Sequence, residues 1–461
     1  MALVVGTVIG SGVFKKGKTV AEACPEFGLA ISVWILGGIL ALLGVLTIAE
    51  VAVRLPKAGG NYIFLREGYG RWAGFMWGWV DFGIIRTSSI GVLAVMTIES
   101  LSDLLAQVGF QSLGRWSRVG LTLGVIASLT LVNIRGTRLG GGVQIFLTLV
   151  KVLSLVVIIA LPFALLLFGS PTGRLPTTAH MAPIWPTDWG AIDWVKYGAA
   201  IVAVQWAYHG WLNITPIAEE VQHPQRNIPL ALLGGVCLLI ALYVGANIAY
   251  YTAMSRVEMA HLGTTPVSTE YFVRLLGNAG GMVASLILMI SVLGALNGNI
   301  LVAPRLLYAM SDDALAPPRL RALHPAYQTP AIAMLVFSGW AMLLVLGAEV
   351  AKEIGWIDPQ KQVFDILTDY VVFGATIFET LGVAAIFVLR SKQRELTATL
   401  PYRCPGYPWV PLFYVLILSA VLYTMFIGDK QRSEALTGLG FICVGGCVYY
   451  LFLRQQKENT T

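Results

Sequence analysis

A chain of 461 residues that is 56% hydrophobic and only 12% charged, with mean hydropathy +0.73, is too apolar for an ordinary soluble protein. Its net charge of +6 sits in short Lys and Arg clusters at the ends of apolar stretches, so no basic face for nucleic acid is expected. The composition predicts an all-α polytopic membrane protein embedded in the lipid bilayer.

The five cysteines, Cys24, Cys237, Cys404, Cys443 and Cys447, contain no C-x-x-C pair and no outer-loop pair, so neither a disulfide framework nor a zinc site is expected. The first apolar segment has no basic leader and no small-residue cleavage site, so a cleaved signal peptide is not expected.

A bilayer-spanning helix takes about 20 mostly apolar residues. Twelve stretches read as spans: 2–23 (broken), 28–53, 72–104, 119–133, 142–168, 191–218, 228–253, 279–303, 331–348, 363–389, 410–427 and 435–453. They make one transmembrane domain over residues 1–453, with 454–461 as a polar cytoplasmic tail. Lys and Arg in short loops favour the cytoplasm: Arg54, Lys57, Arg66 and Arg71 follow span two, and Arg390, Lys392, Arg394 and Arg403 follow span ten. The loops after spans three and five carry only Arg115, Arg118 and Arg174. Both termini are therefore expected inside.

Span one is broken by Gly10-Ser11-Gly12 within Val5 to Phe14. Unwound backbone at membrane depth survives only where protein buries it or a cavity solvates it. The amides of Gly10, Ser11 and Gly12 offer a seat for a carboxylate; close helix packing through small residues is the other reading. A full half-helix ahead of the break calls for residues before Met1, or else that half is short.

Span five carries Lys151 among apolar residues, too deep to reach the interface comfortably, so its ammonium needs carbonyl or carboxylate partners such as those of an unwound helix. Arg86 in span three and Asp369 in span ten are further intramembrane charges; a functional group, a structural pair and a water-filled crevice all remain open for them.

Span six runs through Gln205-Trp206-Ala207-Tyr208-His209-Gly210-Trp211, followed by Asn213, Thr215 and Pro216, and is the second interrupted helix. The two breaks fall at corresponding places in spans one to five (about 1–168) and six to ten (about 191–389), the pattern that points to a transporter site between repeats. His209 is a group that titrates near neutral pH or one bonded to local backbone. Trp206 reads as a lid or as bundle filling, and Asn297 and Asn299 as pocket lining or interhelical glue. The loop Met254 to Asn278 is expected to form a short-helical external lid, and Leu306 to Thr329 a solvated cytoplasmic connector.

These residues together resemble the amino acid-polyamine-organocation superfamily, and within it the L-type amino-acid transporter branch in its bacterial form. The resemblance rests on Gly10-Ser11-Gly12-Val13-Phe14, Pro56 to Tyr62, Lys151, Trp206 to Trp211, Glu219-Glu220 with Pro224 to Pro229, Pro304 to Met310 and Pro405-Gly406-Tyr407-Pro408. It implies two inverted five-helix repeats with discontinuous helices one and six, two peripheral helices (about 410–453), and alternating access. By the same resemblance Gly10, Ser11 and Gly12 bind the substrate carboxylate, and carbonyls near Ile9 and of Trp206 or Ala207 bind its ammonium. The substrate-facing stretch of span six is Trp206, Ala207, Tyr208, His209 and Gly210, joined by Asn297 of span eight. Trp206 is the gate, and Lys151 occupies the place of a sodium ion. His209 departs from the small or acidic residue usual there. The loop from Gln107 to Arg118 lacks the cysteine that animal members use to bond a glycoprotein, so no disulfide-linked heavy subunit is expected.

A cationic side chain would call for a pocket acid, and none is identified at the likely pocket positions in spans one, three, six or eight; Asp369 is expected near the outer end of span ten, above the site. The expected function is sodium-independent exchange of neutral L-amino acids across the plasma membrane. Proton-coupled symport through Lys151 or His209 is the alternative, and a sensor on the same scaffold a remoter one. An intramembrane enzyme would need paired acids, a nucleophile with its base, or metal ligands; the five dispersed histidines and the lack of H-E-x-x-H argue against enzyme, metal and cofactor.

Overall fold

The structure is a computed structural model describing residues 1–263, 265–357, 371–427 and 429–458. Among the described residues every regular element is helical, and nine helices are long and apolar enough to cross a membrane. They are Phe27–Arg54, Arg71–Gln107, Arg115–Ile134, Gly140–Phe168, Pro224–Ala253, Asn278–Asp312, Ala331–Glu353, Phe373–Lys392 and Trp409–Phe426, which correspond to spans two to five and seven to eleven. Spans one and six fall outside that set because both are interrupted. Span twelve is the helix Asp429–Glu458, whose apolar part is Leu436–Leu451.

Span one is assembled from Ala2–Val8, Gly12–Lys15 and Gly17–Ala23. Span six is Trp194–Tyr208 followed, after His209 and Gly210, by the 3₁₀ helix Trp211–Glu220. Span three contains one π-helical turn, Asp81–Ile85, whose extra residue per turn re-aims the side chain that follows it, Arg86.

Two connections differ from the sequence expectation. The stretch read as a connector from Leu306 is helical as far as Asp312: Pro304 sits at the first helical positions, where its missing N–H costs nothing, and restarts the helix after Ala303. Span twelve stays helical to Glu458, beyond the expected tail boundary. Asp369 lies outside the described residues. The loop after span seven does form two short helices, Arg256–Ala260 and Val267–Leu276.

The C-terminal ends of the helices of spans two and ten are tied together by a fully buried carboxylate. Glu50 accepts from Arg54 Nη2 (3.0 Å), Arg390 Nε (2.9 Å) and Nη2 (2.5 Å), and the Cys404 amide (2.7 Å). A buried ion is tolerable only when its lone pairs are filled in this way. Two further ties stand at the same end: Arg305 meets Glu220 at 2.9 Å, and Asp313 accepts from Tyr62 Oη (2.5 Å) and from Arg66. The basic residues that mark these loops in the sequence are thus partly structural.

Candidate functional site

The break in span one is a backbone with its acceptors filled and its donors open. Its carbonyls are taken by side chains from three other spans. Lys151 Nζ donates to Gly6 O (2.6 Å) and Ile9 O (2.7 Å). Ser291 Oγ donates to Gly10 O (3.1 Å) and Ile9 O (3.3 Å). Tyr243 Oη lies 3.1 Å from both Val8 O and Ala207 O and shares its proton between them. These contacts meet the requirement that no main-chain group at membrane depth be left dry and unpaired.

The amides behave differently. Gly10 N donates to Val8 O (2.8 Å), so it is not one of the open donors expected from the sequence. Among the described residues the amides of Ser11, Gly12 and Val13 donate to nothing in the chain. Consecutive N–H groups aimed at one space form an anion-binding concavity. Gly12 is required there for packing: a Cβ on it would stand 2.5 Å from the Ala207 Cα, whereas one on Gly10 would meet nothing closer than 3.9 Å.

Lys151 is 1% exposed, and its ammonium contacts no carboxylate among the described residues. Its passage to span one depends on Gly294, where a Cβ would come within 2.6 Å of Lys151 Cε. The Lys151 side chain thus ties two unwound carbonyls of span one together.

Span six breaks at Gly210, whose φ of +109° only glycine adopts readily. Thr7 Oγ1 donates to Gly210 O (3.1 Å), so the two breaks are hydrogen-bonded to each other. Between them lies a cavity of about 560 Å³, open solvent included, that is reached by Gly10, Ser11, Gly12, Trp206, His209 and Gly210. These are six of the residues singled out in the sequence.

Others stand elsewhere. Ile9 does not line the cavity, its carbonyl being taken by Lys151 and Ser291; Ala207 packs on Gly12 outside the lining, and the Tyr208 hydroxyl donates to Trp34 O (3.1 Å). Asn297 does not line the cavity. It is fully buried, donates to Gln144 Oε1 (3.0 Å) and Gly140 O (3.3 Å), and accepts from Asn133 (2.9 Å), joining spans four, five and eight. Asn299 faces the cavity instead.

Arg86 also lines the cavity, donating from Nη1 to Asn213 Oδ1 (2.5 Å) and Asn299 Oδ1 (3.1 Å), with Nε 3.5 Å from Asp81 Oδ2. Asp81, in span three, and Glu379, in span ten, are acids that the sequence reading passed over. Glu379 Oε1 is 3.0 Å from His209 Nδ1. Neither acid lines the cavity itself; each stands behind a lining residue, Asp81 behind Arg86 and Glu379 behind His209, because hydropathy shows that a helix contains an acid but not which neighbour it faces. Trp206 and His209 lie parallel, with ring centroids 6.2 Å apart and an interplanar angle of 4°, forming one wall of the cavity.

Comparison with known proteins agrees with this arrangement. Residues 1–453 match the family described as amino acid permease. The chain is 32% identical over 463 residues to the serine/threonine exchanger SteT of Bacillus subtilis, covering 100% of this chain and 96% of that protein. It is 28% identical over 455 residues to human b(0,+)-type amino acid transporter 1, covering 98% of this chain and 86% of that protein. Against mouse Asc-type amino acid transporter 1 the identity is 28% over 454 residues, covering 98% and 79%.

Proposed function

The chain belongs to the amino acid permease family, and from that premise we propose that it exchanges neutral L-amino acids across the plasma membrane without sodium, with both termini cytoplasmic and no disulfide-linked heavy subunit. The observation that carries this reading is the unequal treatment of span one's main chain, with carbonyls occupied and the Ser11, Gly12 and Val13 amides open. A substrate carboxylate fits those amides. Its ammonium takes the second lone pair of the Trp206 or Ala207 carbonyl, whose first is used by His209 N and Tyr243 Oη respectively; the Ile9 carbonyl expected from the sequence already accepts from both Lys151 and Ser291.

The substrate side chain then points to Arg86, Asn213, Asn299 and His209, which offer donors and acceptors together. Such a lining suits a small polar side chain, and a serine/threonine exchanger is among the similar proteins. Lys151 supplies from the protein the positive charge that sodium would supply elsewhere, which supports sodium independence. Trp206, at the edge of the cavity, acts as the gate. A ligand that bound both faces equally would shift no population, so the substrate must bind best in the occluded state.

The test is counterflow of labelled L-serine in proteoliposomes, in sodium and in choline buffers. Equal uptake in both, present only when vesicles are preloaded with amino acid, is expected. Uptake into empty vesicles driven by a pH gradient would replace exchange with proton symport, and a requirement for sodium would contradict the role given to Lys151.

A further inference from the structure

Beyond the Trp206–His209 wall lies a second cavity of about 570 Å³, open solvent included, between spans two, six, ten and eleven. Its polar groups are few and specific. Glu379 presents a carboxylate whose Oε1 is held by His209 (3.0 Å), while Oε2 has no partner among the described residues. Around it stand the rings of Trp206, Trp211 and Tyr414, and the carboxamide of Gln205. The Gln205 Nε2 is buried without a hydrogen bond, which leaves this amide free to turn and present its oxygen.

We infer that this cavity is a subsite for the cationic end of a long amino-acid side chain, with Glu379 as its counter-charge. A carboxylate at membrane depth is costly unless a cation answers it. The other charges nearby are Asp81 and Arg86 of span three, which face each other at 3.5 Å, so Glu379 has only the imidazole of His209 opposite it. Aromatic faces beside an acid are the surroundings in which an ammonium or guanidinium group is bound by charge and by cation–π attraction together. The position also fits. Trp206 and His209 line both cavities, so Glu379 stands one imidazole ring beyond the central site, and a shift of the stacked pair joins the two spaces.

The inference rests on the functional reading above, which places the α-carboxylate at Ser11 to Val13. It is tested by counterflow of L-serine, L-lysine and L-norleucine, the last having the length of lysine without its charge. The wild-type protein is expected to carry lysine. Glu379→Gln should lower lysine uptake tenfold or more while serine and norleucine stay within twofold, and Glu379→Asp should retain part of the lysine uptake. Serine counterflow without any lysine uptake would overturn the subsite alone, as would an equal loss of all three substrates in Glu379→Gln. Absence of serine counterflow in the wild type would overturn the functional reading itself.

Discussion

In span one the break is braced from outside: four carbonyls, of Gly6, Val8, Ile9 and Gly10, are held by Lys151, Tyr243 and Ser291 from three other helices. In span six the break is a positive-φ glycine, Gly210, whose carbonyl accepts from Thr7 and from Asn213 N (3.1 Å), with Tyr243 on the Ala207 carbonyl, and Trp206 and His209 beside it line the cavity. On the proposed reading the first is a fixed cradle for groups that every amino acid shares. The second is a wall of Trp206 and His209, whose side chains set what lies beyond. By that proposal, recognition of the α-groups and selection of the side chain fall to different helices.

Substitutions in the first region should reduce transport of all substrates alike, and those in the second should change their ranking. Lys151→Ala is expected to have the largest effect. It strips the Gly6 and Ile9 carbonyls of their donor, each loss costing about 1–3 kcal/mol, and counterflow should fall about a hundredfold for every substrate while the purified protein remains monodisperse. Near-normal counterflow would remove Lys151 from the account. Gly12→Ala comes next: its Cβ would collide with Ala207 at 2.5 Å, and overpacking costs about 1–3 kcal/mol, whereas Gly10→Ala meets nothing inside 3.9 Å and should be clearly milder in the same assay.

Gly210→Ala forces alanine into left-handed backbone at about 1–2 kcal/mol. A loss of about tenfold is expected, unequal between serine and norleucine; an equal loss would blur the division between the two breaks. Tyr243→Phe removes the hydroxyl between Val8 O and Ala207 O, worth about 1 kcal/mol, and should weaken all substrates a few-fold in competition assays.

The smallest effect belongs to the loop between spans seven and eight. Burial alone would raise the Glu258 carboxyl, but the Ser255 amide and the Arg274 guanidinium outweigh it and hold the carboxyl at about 2. Its folded value is thus depressed, so its contribution is complete above the ordinary carboxylate value of about 4.3 and is lost only as pH falls toward about 2. Glu258→Gln should leave uptake flat between neutral and mildly acidic pH and lower the melting temperature slightly.

How much of this was legible in the sequence depended on the kind of signal. Hydrophobic length alone located the spans, and the two glycine-containing breaks and Lys151 stood out because each violates what a bilayer tolerates. Facing was not legible. Asn297 and Asn299 are two residues apart and so point to different sides of their helix, one toward spans four and five and the other into the cavity. Glu379 and Asp81 are ordinary acids in the sequence and acquire meaning only from His209 and Arg86 opposite them. The shift of the open amides from Gly10 to Val13 follows from a single hydrogen bond, Gly10 N to Val8 O, a local turn that residue type does not dictate.

Two groups in the cavity compete for the substrate carboxylate: the span-one amides and the guanidinium of Arg86. A structure with L-serine bound decides between them. Carboxylate oxygens within hydrogen-bonding distance of the Ser11, Gly12 and Val13 amides are what the account predicts. A carboxylate seated on Arg86, with those amides facing water, would contradict it.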